Sequence, residues 1–141
     1  MQPAFYAADM SQPVLFMPAV FNETLGLLFD THHYFEQCGE EEQLRLPDNY
    51  RSAYTGEMSR ITMRLTSIMA WIMVRKAIHT GKLGEDEAAQ KYRLDAADIC
   101  LTPIPKDVIN LPFYIGELAE RSRSLYERVH RLDEQAYGSQ A

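Results

Sequence analysis

The sequence predicts an all-α fold: a three-helix bundle with one long central helix, paired into a dimer. Three observations lead there. Tyr54, Met58, Ile61, Leu65, Ile68 and Ile72 recur at steps of 4, 3, 4, 3 and 4, which lines one face of a helix. Leu111, Ile115, Leu118, Ser122, Leu125, Val129 and Leu132 keep a strict heptad seam. Where the first stripe ends, every residue from Ile68 to Val74 is apolar, so that part of the helix has no water-facing side.

The central helix is expected over residues 48–80. Pro47 suits a first turn, and Asp48 sits at the positive end of the dipole. Arg75, Lys76 and His79 occupy the last turn, and Gly81 is placed as the stop. Gly56 costs about 1 kcal/mol relative to alanine, which such a helix tolerates. The apolar run is far too short for a bilayer, which takes about 20 residues. A second covering surface is therefore expected, and Met69, Trp71, Met73 and Val74 are its candidate dimer-interface residues. Arg75, Lys76, Lys82 and Arg93, with the loop from Gly81 to Pro105, are candidate exposed partner contacts.

The first helix is expected over residues 19–38. Phe21, Leu25, Leu28, His32 and Phe35 step by 4, 3, 4 and 3, and Leu27, Tyr34 and Cys38 widen that stripe. Gly39 is expected to end it, followed by an acidic connector, Glu40 to Gln43, with Leu44 and Leu46 anchoring it to the core. Residues 1–18, with three prolines, read as an irregular arm in which Leu15 and Phe16 tuck against the bundle. After the central helix comes the longest connection. Residues 85–93 make about two helical turns in it, and Asp95 to Pro105 is expected to be irregular. A turn of helix near 105–110 precedes the third helix, expected over 111–136, with Pro112 at its restart. Glu117 with Arg121 and Glu127 with Arg131 are expected i,i+4 pairs. Residues 138–141 read as a frayed tail, so the bundle domain spans 19–137.

With 14 basic and 20 acidic side chains the formal charge is −6. That disfavours general nucleic-acid affinity, which needs a basic surface. Cys38 and Cys100 show no CxxC spacing and read as two free thiols of a reduced, cytoplasmic protein, with a single disulfide the alternative. The N-terminus lacks the basic and apolar regions of a signal peptide.

His32 and His33 point about 100° apart on a helix and do not converge on one ion; they read as a core-edge and a solvent-facing imidazole. Glu40, Glu41 and Glu42 read as solvated loop. Arg121, Arg123, Arg128 and Arg131 are interleaved with acids, so a salt-bridged outer face fits better than a phosphate site. No Ser-His-Asp signature, glycine-rich phosphate loop or zinc spacing is present. The reading is a non-enzymatic interaction protein without metal or cofactor. The alternatives are a DNA- or transcription-associated regulator and a small-molecule-binding bundle.

Two stretches go further. Residues 57–78 (EMSRITMRLTSIMAWIMVRKAI) and residues 122–133 (SRSLYERVHRLD) resemble the RcdA family, regulators of CtrA degradation. The likeness runs from about Phe21 to Tyr137. The resemblance implies an alphaproteobacterial, cytoplasmic, dimeric three-helix bundle. It implies an adaptor that docks on a ClpXP protease primed by a response regulator and brings it substrates, among them cell-cycle regulators. No catalytic residue comes with it.

Overall fold

The computed structural model describes residues 17–106 and 111–139. All of its regular elements are helices, in the order α1 (Met17–Tyr34), a π-helical turn (Phe35–Gly39), α2 (Glu40–Arg45), α3 (Asp48–His79), α4 (Glu85–Lys91), α5 (Ala97–Cys100) and α6 (Phe113–Tyr137). The bundle is α1, α3 and α6, with α3 in the middle.

The stripe expected on α3 is its core face: Tyr54, Met58, Ile61, Leu65, Ile68 and Ile72 are all buried. The heptad seam is likewise inward: Leu111, just ahead of α6, and Ile115, Leu118, Ser122, Leu125 and Val129 on it are buried, and Leu132 is half-buried. Pro112 is the N-cap of α6, where its missing N–H costs nothing. Gly81, at φ +79, takes the left-handed conformation after α3, the stop glycine suits best.

Contacts along the helices fix their directions. Arg64 meets Ser122, Trp71 meets Asp133, and Arg75 meets Tyr137, so α3 and α6 run parallel. Glu23 pairs with Arg128 and Asp30 with Arg121, so α1 runs antiparallel to α6. Parallel neighbours need a long return of chain, and residues 80–112 supply it.

That return is strapped down. Arg64, fully buried on α3, donates through Nε to the Cys100 carbonyl at 2.9 Å and through Nη1 to the Ala119 carbonyl and Ser122 Oγ. Arg123 on α6 donates to the Leu101 and Thr102 carbonyls, and Tyr126 donates to the Asp95 carbonyl. The connection buries Leu94, Cys100 and Leu111 in the core, and its carbonyls also accept charge-assisted hydrogen bonds from Arg64 and Arg123, each stronger than a neutral one.

Several expectations are corrected. On α1 the buried row is Val20, Thr24, Leu27, Thr31 and Tyr34; Phe21, Leu25 and Phe35 of the expected stripe are exposed, and so are His32 and His33. Thr24 fits a core position because its hydroxyl donates to the Val20 carbonyl one turn back. Gly39 does not end the helix. It stays right-handed, at φ −60 and ψ −48, and the chain continues as a π-turn into α2, so Glu40 to Gln43 is helical. Beside the π-turn, Tyr34 at the end of α1 and Tyr54 on α3 bring their hydroxyls 2.8 Å apart, with Tyr34 donating to Glu42. A Cβ at Gly39 would come within 3.0 Å of the Phe35 ring, so glycine serves close packing there.

Residues 97–100 form a helical turn in the stretch expected to be irregular. The helix α1 begins at Met17, inside the expected arm; Leu15, Phe16 and residues 107–110 lie outside the described residues. Arg121 pairs with Asp30, and Glu127 with Arg123, in place of the expected partners. Cys38 and Cys100 are free thiols.

Two predictions follow from these buried groups. Arg64→Ala removes the donor to three acceptors and leaves a cavity; it is expected to cost about 3 kcal/mol or more, read from urea denaturation, whereas a loss below about 1 kcal/mol would mean that the arginine is not a structural pin. The Cys100 thiol is pushed by burial from 9.0 to about 11. Its raised value adds stability that is complete below pH 9 and is lost as pH climbs from 9 towards 11. At pH 8, iodoacetamide is expected to label Cys38 in the native chain, and Cys100 only once urea unfolds it.

Candidate interaction surface

The helix α3 is covered on three sides. The α6 helix lies under its core stripe, the strapped connection lies along one flank, and α1 lies along the other. Its remaining side is open and carries Ser59, Met63, Thr66, Ala70 and Met73, all exposed, with Ala77 half-buried. These residues step by 4, 3, 4, 3 and 4, so they form one continuous row. Met73 is 55 % exposed.

Next to this row is the outer face of α1. Phe21, Leu25 and Phe35 are exposed, and Phe29, at 71 %, is stacked on His33. The groove between the two helices holds a hollow at each end. One, of about 400 Å³, is lined by Phe21, Ile72 and Met73, with Lys76 at its rim. The other, of about 530 Å³, is lined by Phe35, Met58, Thr62 and Met63. An uncovered run of large apolar side chains of this kind marks a surface that binds something.

The residues singled out from sequence divide. Met69 and Val74 are half-buried and Met73 is exposed. Trp71 belongs to the single chain's core at 3 % exposure, with Nε1 donating to Asp133 Oδ1 at 3.0 Å. Arg75 is corrected from an exposed contact to a buried one: it lies between the Trp71 and Tyr137 rings and reaches Glu85. Arg93 is also turned inward, pairing with Asp133 at 2.8 Å beneath the Tyr137 ring. Lys76 and Lys82 are exposed as expected.

Asp133 is the centre of this cluster. Fully buried, it accepts from Trp71, Arg93 and the Leu94 backbone N–H at once. Sequence reasoning missed it because an acid near a helix end reads as surface. It also missed the outer α1 face, whose heptad was visible but was assigned inward.

Among the described residues no group of His, Cys, Asp and Glu is placed to hold a metal ion, and no helix is long and apolar enough to cross a membrane. The surface offers apolar and hydroxyl-bearing side chains, with Lys76 and His79 beside one hollow. Fold and surface together define a helical bundle with an open, largely apolar face on α3 and α1.

Comparison with known proteins places the chain. It belongs to the family described as "Protein of unknown function (DUF1465)", whose model matches residues 8–141. Its structure is similar to the crystal structure of RcdA from Caulobacter crescentus CB15, with a TM-score of 0.69 and 27% sequence identity over 88% of this chain and 92% of that one. No curated protein sequence matches. The resemblance seen in residues 57–78 and 122–133 therefore extends to the whole fold.

Asp133→Ala takes the acceptor from three donors, one of them a guanidinium. It is expected to destabilise the chain by about 3–5 kcal/mol, followed through fluorescence of Trp71, the single tryptophan. A change under about 1 kcal/mol would show that the cluster does not hold the connection to the bundle.

Proposed function

We propose that this chain is a non-enzymatic adaptor that helps to deliver regulatory proteins, cell-cycle regulators among them, to a ClpXP-type protease in the cytoplasm. The observation that carries the reading is the similarity to RcdA across nearly the full length of both chains, joined to an open, largely apolar face on α3 and α1. On this reading the chain works as a homodimer. It docks on a protease primed by a response regulator and holds substrate proteins there. The mechanism is proximity: tethering raises the effective concentration of a substrate at the protease to the millimolar range without new contacts at the cutting site.

Exposed Lys76 and Lys82 remain the candidate partner contacts, and Met69, Met73 and Val74 the candidate dimer contacts. Trp71, Arg75 and Arg93 serve the fold of the single chain.

The test is reconstituted degradation with ClpXP, the primed response regulator and candidate cell-cycle substrates from the same organism. Substrate turnover is expected to rise at least several-fold when this protein is added, and only with the regulator present. Unchanged turnover, together with no binding to the primed protease, would refute the reading.

A further inference from the structure

The two hollows of the groove differ in what closes them. The one at Phe35 and Met63 is walled by neutral side chains alone. The other has an apolar floor of Phe21, Ile72 and Met73 and a mouth of Lys76, His79 and Thr80. Because α1 runs antiparallel to α3, its first turn, with Pro18, lies level with the last turn of α3 and belongs to the same mouth. No Asp or Glu lines the hollow, and the first turn of α1 holds no acidic residue. Lys76 is exposed and makes no ion pair among the described residues. The start of α1, where the helix dipole is positive, adds the same sign. The mouth therefore favours an anion.

The floor sets the rest of the ligand. Phe21, Ile72 and Met73 sit inside α1 and α3, whose backbone groups pair within the helix. At the mouth, Thr80 donates its hydroxyl to the Lys76 carbonyl. The floor thus offers no partner to a peptide bond, and burying an amide without one is costly. An alkyl chain carries no such group and meets the floor with methylenes only. From Ile72 to His79 the helix rises roughly 10 Å, and the hollow measures about 400 Å³. Those dimensions suit one chain of medium length with its polar end at the mouth, and not the paired chains of a membrane lipid.

We infer that this hollow is a binding site for a free medium-chain fatty acid, with its alkyl chain on Phe21, Ile72 and Met73 and its carboxylate at Lys76. The site goes beyond the proposed adaptor role and does not depend on it. A bound carboxylate neutralises Lys76, one of the candidate partner contacts, so occupancy of the hollow changes the charge of the surface that a partner meets.

The experiment titrates the full-length chain with hexanoate, octanoate and decanoate by calorimetry, with decanol as the uncharged control. Affinity is expected to rise about four-fold for each added methylene. Lys76→Gln is expected to weaken decanoate about five-fold and to leave decanol unchanged. Phe21→Ala is expected to weaken both ligands while helical circular dichroism is kept. In the unsubstituted chain, decanoate is expected to shift the Met73 methyl resonance and to leave Met63 unmoved. No binding at millimolar decanoate, affinity that does not grow with chain length, or binding that both substitutions leave intact would overturn the site. Binding to phosphatidylcholine vesicles without binding of free decanoate would also overturn it and would mark a membrane surface instead. The protease takes no part in these measurements, so their failure is distinct from failure of the adaptor reading.

Discussion

The structure depends on how the return connection is held against the central helix. Because α3 and α6 run parallel, the chain must travel back along the bundle between them, and this stretch buries Leu94, Cys100 and Leu111 in the core. Guanidinium groups add a polar hold: Arg64 on Cys100, Arg123 on Leu101 and Thr102, and Arg93 on Asp133. Arg64 is the most demanding of them. A fully buried cation loses its hydration, and burial lowers its pKa, so it persists only because three acceptors converge on it. With the connection fixed on one flank and α1 on the other, one side of α3 is left open. The open face is thus defined by what the strap and α1 leave uncovered.

This arrangement separates two kinds of long polar side chain that look alike in sequence. Arg64, Arg75, Arg93 and Arg123 turn inward and act as ties between elements. Lys76 and Lys82 stay in solvent. The difference follows from chemistry: the guanidinium offers several donors in a rigid fork and is weakly hydrated, so it bridges carbonyls and aromatic faces that an ammonium does not satisfy. Arg75 between the Trp71 and Tyr137 rings is such a case.

Much of the fold was legible in the chain. The core stripe of α3 and the seam of α6 follow strict helical periods of large apolar residues, and only one orientation buries them. The helix α1 was harder, because its outer row is more apolar than its inner one. Thr24 and Thr31 are core residues there, and Thr24 loses its polarity to a local hydrogen bond. Gly39 was read as a stop, but a glycine inside a π-turn is needed for packing space against Phe35. Arg64, Arg93 and Asp133 were not legible as buried, because their partners are backbone carbonyls or side chains far away in sequence, such as Trp71, 62 positions from Asp133. The surface was visible in part: the apolar run from Ile68 to Val74 pointed to a second cover, while the inward turn of Trp71 depended on Asp133.

The central claim is that the open row of α3 is covered in the assembled protein while the strap belongs to each single chain. The most direct measurement is NMR of the methionine methyl groups with a soluble paramagnetic agent, recorded over a range of protein concentrations. On this account Met63 and Met73 are accessible when the chain is dilute and become protected as it assembles, while buried Met58 is protected throughout. Met63 and Met73 methyls that remain fully accessible at every concentration would contradict it.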